Sequence, residues 1–289
     1  MIVLFTDTDT DITLEEANEL GYKLISMPYS INDEEIFPYE TWKEFKAHEF
    51  YDSLRNGVLP KTSAISSEKY IEYFEPVFKE GNDILYVHFS TAMSGTFNAM
   101  NVALDDLKER YPERKFYEID TKGITINSYS PVIEIQKKFK EGMPIEELLE
   151  YGKDLAEHTA TYFFADSLKF FQHSGRVSNI KAVMGTLFGV KPIIYMDQNG
   201  MMTSVSKAKG RKGALQKIVD YVKELGDHIE DHPIIVGHTD NEPIANELKD
   251  LLKETFGQNL DIKIVMVNPT AGSHCGPDGI GVCFHAIHR

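Results

Sequence analysis

Short apolar runs alternate with amphipathic stretches along this chain, the pattern of strands crossed over by helices. Ile2–Thr6 reads as a first strand. Thr13 followed by Glu16 makes a capping box that opens a short helix, and Lys23–Met27 reads as a second strand. Ser67 is placed to cap a helix in which Tyr70, Ile71, Phe74, Val77 and Phe78 form one apolar stripe, ending at Gly81. Ile84–Phe89 is a continuous apolar run, as expected of a buried parallel strand. A helix from about Gly95 to Arg110 and a strand at Phe116–Ile119 follow.

This first half reads as a doubly wound α/β unit with a mostly parallel sheet. The second half has a different texture. Lys191–Met196, a turn at Asp197-Gln198-Asn199-Gly200 and then Met201–Ser206 predict a hairpin, which parallel βαβ topology does not supply. Helices are expected at Lys212–Leu225 and Glu242–Phe256, and strands at Pro233–His238 and Ile262–Val267. The expected organisation is an N-terminal α/β domain over residues 1–157 and a C-terminal α/β domain over 158–289 with a mixed or antiparallel sheet. The boundary falls in the charged helical stretch near Glu157.

Composition narrows the function. The chain has 289 residues, 42% of them hydrophobic and 26% charged, enough apolar material for two cores. A formal net charge of −15 argues against a broad nucleic-acid footprint and against attraction to anionic membrane surfaces. Any anionic ligand must be met locally, by a few basic groups and backbone N–H donors. The apolar start at Met1–Phe5 is too short for a signal peptide, and no run is long enough to span a bilayer. Only Cys275 and Cys283 are present, unlike the disulfide framework of a secreted protein. A cytoplasmic protein without stable membrane insertion is expected. Cys275, Cys283, His274 and His285 are all possible zinc ligands, but no Cys-x-x-Cys pair occurs and alternation along a strand would spread them over both faces. No metal site is assigned.

Several segments carry candidate chemistry. Ser90-Thr91-Ala92-Met93-Ser94-Gly95-Thr96 lies between a strand and a helix, where ligands of open α/β sheets bind. A hydroxyl there can donate to an anion beside helix N–H groups, although a serine there also caps helices. Thr62-Ser63 is a second hydroxyl pair, in a loop. Asp7-Thr8-Asp9-Thr10-Asp11 lacks the glycine and glutamate of a calcium loop and reads as a solvated loop that closes part of a pocket. In Ser174-Gly175-Arg176 the arginine can fork two donors onto a carboxylate or phosphate. Gly272-Ser273-His274-Cys275-Gly276-Pro277-Asp278-Gly279 reads as a glycine-rich turn between two strands, with His274 able to bind an anion, relay a proton or cap a loop. Walker, dinucleotide-binding, His-Glu-x-x-His and Gly-x-Ser-x-Gly motifs are missing from the sequence.

Taken in order, Asp7-Thr8-Asp9, Thr62-Ser63, Ser94-Gly95-Thr96, Asp120-Thr121, Ser174-Gly175-Arg176-Val177-Ser178, Lys191-Pro192-Ile193, Lys209-Gly210-Arg211 and His274-Cys275-Gly276-Pro277 resemble the DegV family of bacterial fatty-acid-binding proteins. The likeness runs over nearly the whole chain. It implies a long-chain fatty acid held between the two domains, its carboxylate on Thr62 and Ser94, with Arg176 and His274 near the head group. Ser63, Gly95 and Thr96 complete the expected ligand-binding set. The resemblance further implies no cofactor and no catalytic residue in this chain. It also implies a possible role as the acyl-binding subunit of a fatty acid kinase, whose separate ATP-binding subunit phosphorylates the carboxylate. The basic cluster of Lys209 and Arg211 would then steady the partner or the phosphate. This chain departs from the family pattern at Ala64-Ile65-Ser66, at Ile126-Asn127-Ser128-Tyr129-Ser130 and at Asp278. Two other readings are a serine hydrolase using Ser94, His274 and Asp7 or Asp120, and a sensor of another small anion.

Overall fold

The computed structural model describes residues 1–179 and 189–289. In chain order the strands of the first half are β1 (Ile2–Asp7), β2 (Tyr22–Ile25), β3 (Tyr29–Ile31), β4 (Glu34–Ile36), β5 (Lys61–Thr62), β6 (Asp83–His88) and β7 (Phe116–Asp120). The second half adds β8 (Thr159–Phe164), β9 (Val190–Met196), β10 (Met202–Lys209), β11 (Ile234–His238), β12 (Ile262–Met266) and β13 (Ile280–His285).

Strands β2-β1-β6-β7 form a four-stranded sheet in which every pairing is parallel. The period of two decides what each face buries. Phe5, Ile84 and Tyr86 pack beneath helices Ser67–Lys79 and Thr96–Arg110, together with Phe74 and Met100. Leu4, Leu85 and Val87 point to the other face, against Tyr129, Val132 and Ile135 of helix Ile126–Lys140 and Leu148 of helix Ile145–Glu157. Because both faces are covered, β6 is buried along nearly its whole length.

Strands β10-β9-β8-β13-β11-β12 form a mixed six-stranded sheet, antiparallel except for β11 with β12. All its strands lie beyond Glu157. The expected hairpin is β9 with β10, and the second of the two expected helices spans Glu242–Phe256 as its periodicity predicts. That helix and Gly210–Leu225 cover one face through Leu215, Ile218, Leu248 and Leu252. Helix Ile126–Lys140 packs against β8, β11 and β13 on the other face, so it lies between the two sheets.

Four expectations need correction. Ser66, not Ser67, caps the third helix by accepting from the Lys69 N–H at 3.2 Å. A small antiparallel sheet, β4-β3-β5, and helix Ala47–Arg55 were not expected. The segment read as a glycine-rich turn contains helix Pro269–Cys275, capped by the Asn268 side chain. Finally, Asp7 through Asp11 are not solvated: all five residues are buried. Among the described residues no helix is long and apolar enough to cross a membrane.

Candidate ligand-binding site

A cavity opens where the two larger sheets and the small sheet meet. Its space amounts to about 980 Å³, counting the part open to solvent. Phe89, Met93, Ile126, Phe163, Met196 and Met202 supply apolar wall. Gly237 of β11 and Gly281 of β13 are direct cross-strand partners and both face this space. A Cβ at Gly237 would come within 2.5 Å of Ile126 Cγ2, and one at Gly281 within 2.5 Å of Phe163 Cβ. The paired glycines let these apolar side chains pack directly onto the strands.

Polar groups converge from four distant segments. Thr62 ends β5, whose partner β3 holds it opposite Tyr29. His274 sits in the last turn of helix Pro269–Cys275. That helix is fixed by the Asn268 side chain, which accepts from the Ala271 N–H and donates to Asp11 Oδ1 at 2.7 Å. Thr270 further ties it to the Met27 carbonyl at 2.7 Å. These anchors bring His274 Nε2 to 2.9 Å from Thr62 Oγ1. Burial, with Arg176 and His173 nearby, holds His274 down at about 4. Its imidazole is therefore neutral at neutral pH, a hydrogen-bonding group rather than a cation.

Ser94 precedes helix Thr96–Arg110, and its Oγ accepts from the Thr96 N–H at 3.2 Å. The capping and cavity readings of this serine are thus compatible, because its own proton remains available while Ser94 lines the cavity. Arg176 follows Gly175, which closes helix Lys169–Ser174 in a left-handed conformation with φ 68°. Arg176 Nη1 donates to the Ser174 carbonyl at 2.6 Å, which fixes the guanidinium on the cavity wall. Among the described residues no carboxylate forms an ion pair with it.

The cavity thus brings together Thr62, Ser63, Ser94, Arg176 and His274. Ser63 stands at its edge and donates to Glu35 Oε1 at 2.6 Å. Gly95 and Thr96 do not line it. Thr96 is buried, its hydroxyl meeting Tyr70 Oη at 3.1 Å and the Ile65 N–H at 3.3 Å. Lys209 and Arg211 do not line it either. Lys209 is exposed, and Arg211 donates to Asp166 Oδ1 at 3.0 Å, an oxygen shared with Lys191 at 2.7 Å.

The geometry does not assemble the hydrolase reading. His274 Nε2 meets Thr62 Oγ1, and no hydrogen bond joins it to Ser94, so the nucleophile–base pair is not formed. Asp7 is taken by Tyr86 Oη at 3.0 Å and by the Asp9 N–H, and Asp120 by Thr91 and the Lys122 N–H. Burial pushes the thiols of Cys275 and Cys283 up to about 12, which opposes the thiolate form that zinc requires. Clusters of three possible metal ligands among the described residues are His48, Asp52 and Asp240, and His228, Glu230 and Asp231, away from this cavity.

The Asp7–Asp11 loop does close part of the cavity, through Asp9, as expected, while sequence reasoning missed the polar lining residues Thr125, Thr161, His238, Thr239 and Thr270. The alternation of acids in Asp7-Thr8-Asp9 was visible, but nothing in it distinguished an inward carboxyl from a solvated one.

Comparison with known proteins places this architecture. Residues 1–286 match the family model described as uncharacterised protein, DegV family. A DegV domain-containing protein of Clostridium perfringens is 29% identical over 282 residues, covering 98% of this chain and 96% of its own length. A stearic-acid-binding protein from Eubacterium ventriosum superposes with a TM-score of 0.88 at 20% identity, covering 99% of this chain and 98% of that one. A DegV family protein from Ruminococcus gnavus, refined with vaccenic acid, gives 0.84 at 23% identity over 98% and 99% of the two chains. These structures share the mixed α/β fold. The chain belongs to the DegV family.

Proposed function

We propose that this protein binds one long-chain fatty acid in the cavity, with the carboxylate on Thr62 and Ser94 and with Arg176 and His274 beside it. The observation that carries the reading is a largely apolar cavity whose wall brings together Thr62, Ser94, His274 and an arginine that has no acidic partner among the described residues. The acyl chain supplies the affinity. At about 0.8 kcal/mol per methylene, about fifteen buried methylenes give about 12 kcal/mol before ordering costs. The head group contributes mainly orientation, because a carboxylate must first lose its water. Its two oxygens then accept from the hydroxyls of Thr62 and Ser94 and from the Arg176 guanidinium. Solved DegV structures with stearic and vaccenic acid support the ligand class.

Chemistry on the carboxylate is assigned to a separate ATP-dependent kinase subunit rather than to this chain. A carboxylate among hydroxyls has no reaction without an external electrophile. Exposed Lys209 and Arg211 are proposed as contacts for that partner or for the transferred phosphate. The binding claim is tested by titrating purified protein with stearic acid, alongside the Thr62→Ala/Ser94→Ala double variant. A loss of about tenfold or more in affinity, at unchanged circular dichroism, is expected from two hydrogen bonds to a charged group. Wild-type affinity in the double variant removes the head-group assignment.

A further inference from the structure

Asp9 is an anomaly in a lipid cavity. It follows β1 in the tight turn Thr8–Thr10 and is only 6% exposed, yet it lines the cavity wall. Its backbone is satisfied: the Asp9 N–H donates to Asp7 Oδ1 at 2.9 Å, and its carbonyl accepts from the Thr125 N–H at 2.6 Å. Its carboxyl is not. Oδ1 is fully buried and has no hydrogen-bond partner. Its two acidic neighbours differ. Asp7 accepts from Tyr86, Phe89 and Asp9. Asp11 accepts twice from Asn268; its Oδ2 is also unpartnered, but Asp11 does not line the cavity.

Burial comes first, and the charges of Asp7 and Asp11 add to it, raising Asp9 well above the usual carboxylate range. Burial thus favours the protonated form of Asp9, which offers one O–H donor and one carbonyl acceptor. Such a group in an apolar wall matches a neutral oxygen function. A second carboxylate would face the neighbouring acids. A hard cation would require several oxygen ligands around it, and among the described residues Asp9 belongs to no cluster of three possible metal ligands.

We propose that Asp9 recognises a hydroxyl or keto group along the acyl chain, so that the preferred ligand is an oxygenated long-chain fatty acid. This rests on the fatty-acid reading of the same cavity. A hydroxyl satisfies the Asp9 carboxyl and is satisfied by it, whereas a plain alkyl chain leaves the acid dry and unpaired. A site built to hydrogen-bond a substrate oxygen discriminates strongly against the analogue that lacks it.

The test measures binding of stearic acid against a panel of its mid-chain monohydroxy and monooxo derivatives by displacement of a fluorescent fatty acid. Wild type is compared with Asp9→Leu and Asp9→Asn. Wild type is expected to favour at least one oxygenated acid by about tenfold or more. Which derivative wins separates the hydroxyl from the ketone. Asp9→Leu is expected to lose that preference and to melt at a higher temperature without ligand. Asp9→Asn, which still presents a donor and an acceptor, retains the preference. Equal or tighter binding of stearic acid by wild type, or a preference unchanged in Asp9→Leu, overturns the inference while leaving fatty-acid binding intact. Failure of wild type to bind any acid in the panel defeats the fatty-acid reading itself.

Discussion

Thr62 Oγ1 and His274 Nε2 lie 2.9 Å apart although 212 positions separate them in the chain. One sits at the end of a two-residue strand and the other on a seven-residue helix. The contact exists because Asp11 and Met27 hold that helix from below.

The depressed value of His274, about 4 against an ordinary 6.5, has a signed consequence for stability. The unfolded chain takes up a proton below about 6.5, and the folded ligand-free protein does not until about 4. Stability that is present above the unfolded value is lost as pH falls through this window. His274→Gln removes that loss. Its melting temperature relative to wild type is expected to be more favourable at about pH 4.5 than at about pH 8. A difference that does not vary with pH contradicts the neutral imidazole.

Asp11 works in the opposite sense. Burial pushes it up to about 7, against the lowering effect of Asn268. The folded protein therefore holds a proton between the ordinary carboxylate value and about 7 that the unfolded chain releases. Stability contributed at low pH is lost as pH rises through that range. Asp11→Asn is expected to gain on wild type at about pH 8 relative to about pH 4, measured by thermal melts. The same gain at both pH values contradicts the protonated acid.

Arg176 is expected to read the head group and not the chain. Arg176→Leu should weaken stearic acid binding by about tenfold to a hundredfold, the worth of a hydrogen bond to a charged group. Stearyl alcohol, with the same chain and no charge, should bind both proteins alike. Equal losses for acid and alcohol would place Arg176 in packing instead.

Gly237 is expected to be intolerant of any side chain. A Cβ there meets Ile126 Cγ2 at 2.5 Å and Cδ1 at 3.1 Å, and Ile126 is itself buried and lines the cavity. Gly237→Ala should cost about 1–3 kcal/mol through overpacking and weaken stearic acid binding. Chemical denaturation and the displacement assay read the two effects separately. A variant with wild-type stability and affinity contradicts the close packing described at this pair of glycines.

The sequence made legible what local patterning controls. The Thr13–Glu16 capping box forms as written, with both reciprocal bonds present. Helix Glu242–Phe256 shows its apolar stripe against the sheet, and the Asp197–Gly200 turn announces its hairpin. Helix Ile126–Lys140 was illegible for a physical reason. It lies between the two sheets and buries an unbroken run from Ile126 to Val132, so its sequence lacks the one-sided periodicity of a surface helix. Strands of two or three residues such as β3, β4 and β5 are too short to show alternation. In the site, Thr62, Ser94, Arg176 and His274 were found through the order of motifs, since nothing local joins them. Thr96 was grouped with Ser94 by adjacency, yet its hydroxyl turns to Tyr70. Asp9 was misread as solvated because a short acidic loop looks the same on paper whether water or a cavity faces it.

The most direct test of the central claim is mass spectrometry of lipid extracted from the purified native protein. The account predicts one long-chain fatty acid per chain, which also sets the length the cavity accepts. Protein that carries no lipid and also refuses added fatty acid in a thermal-shift titration would contradict it.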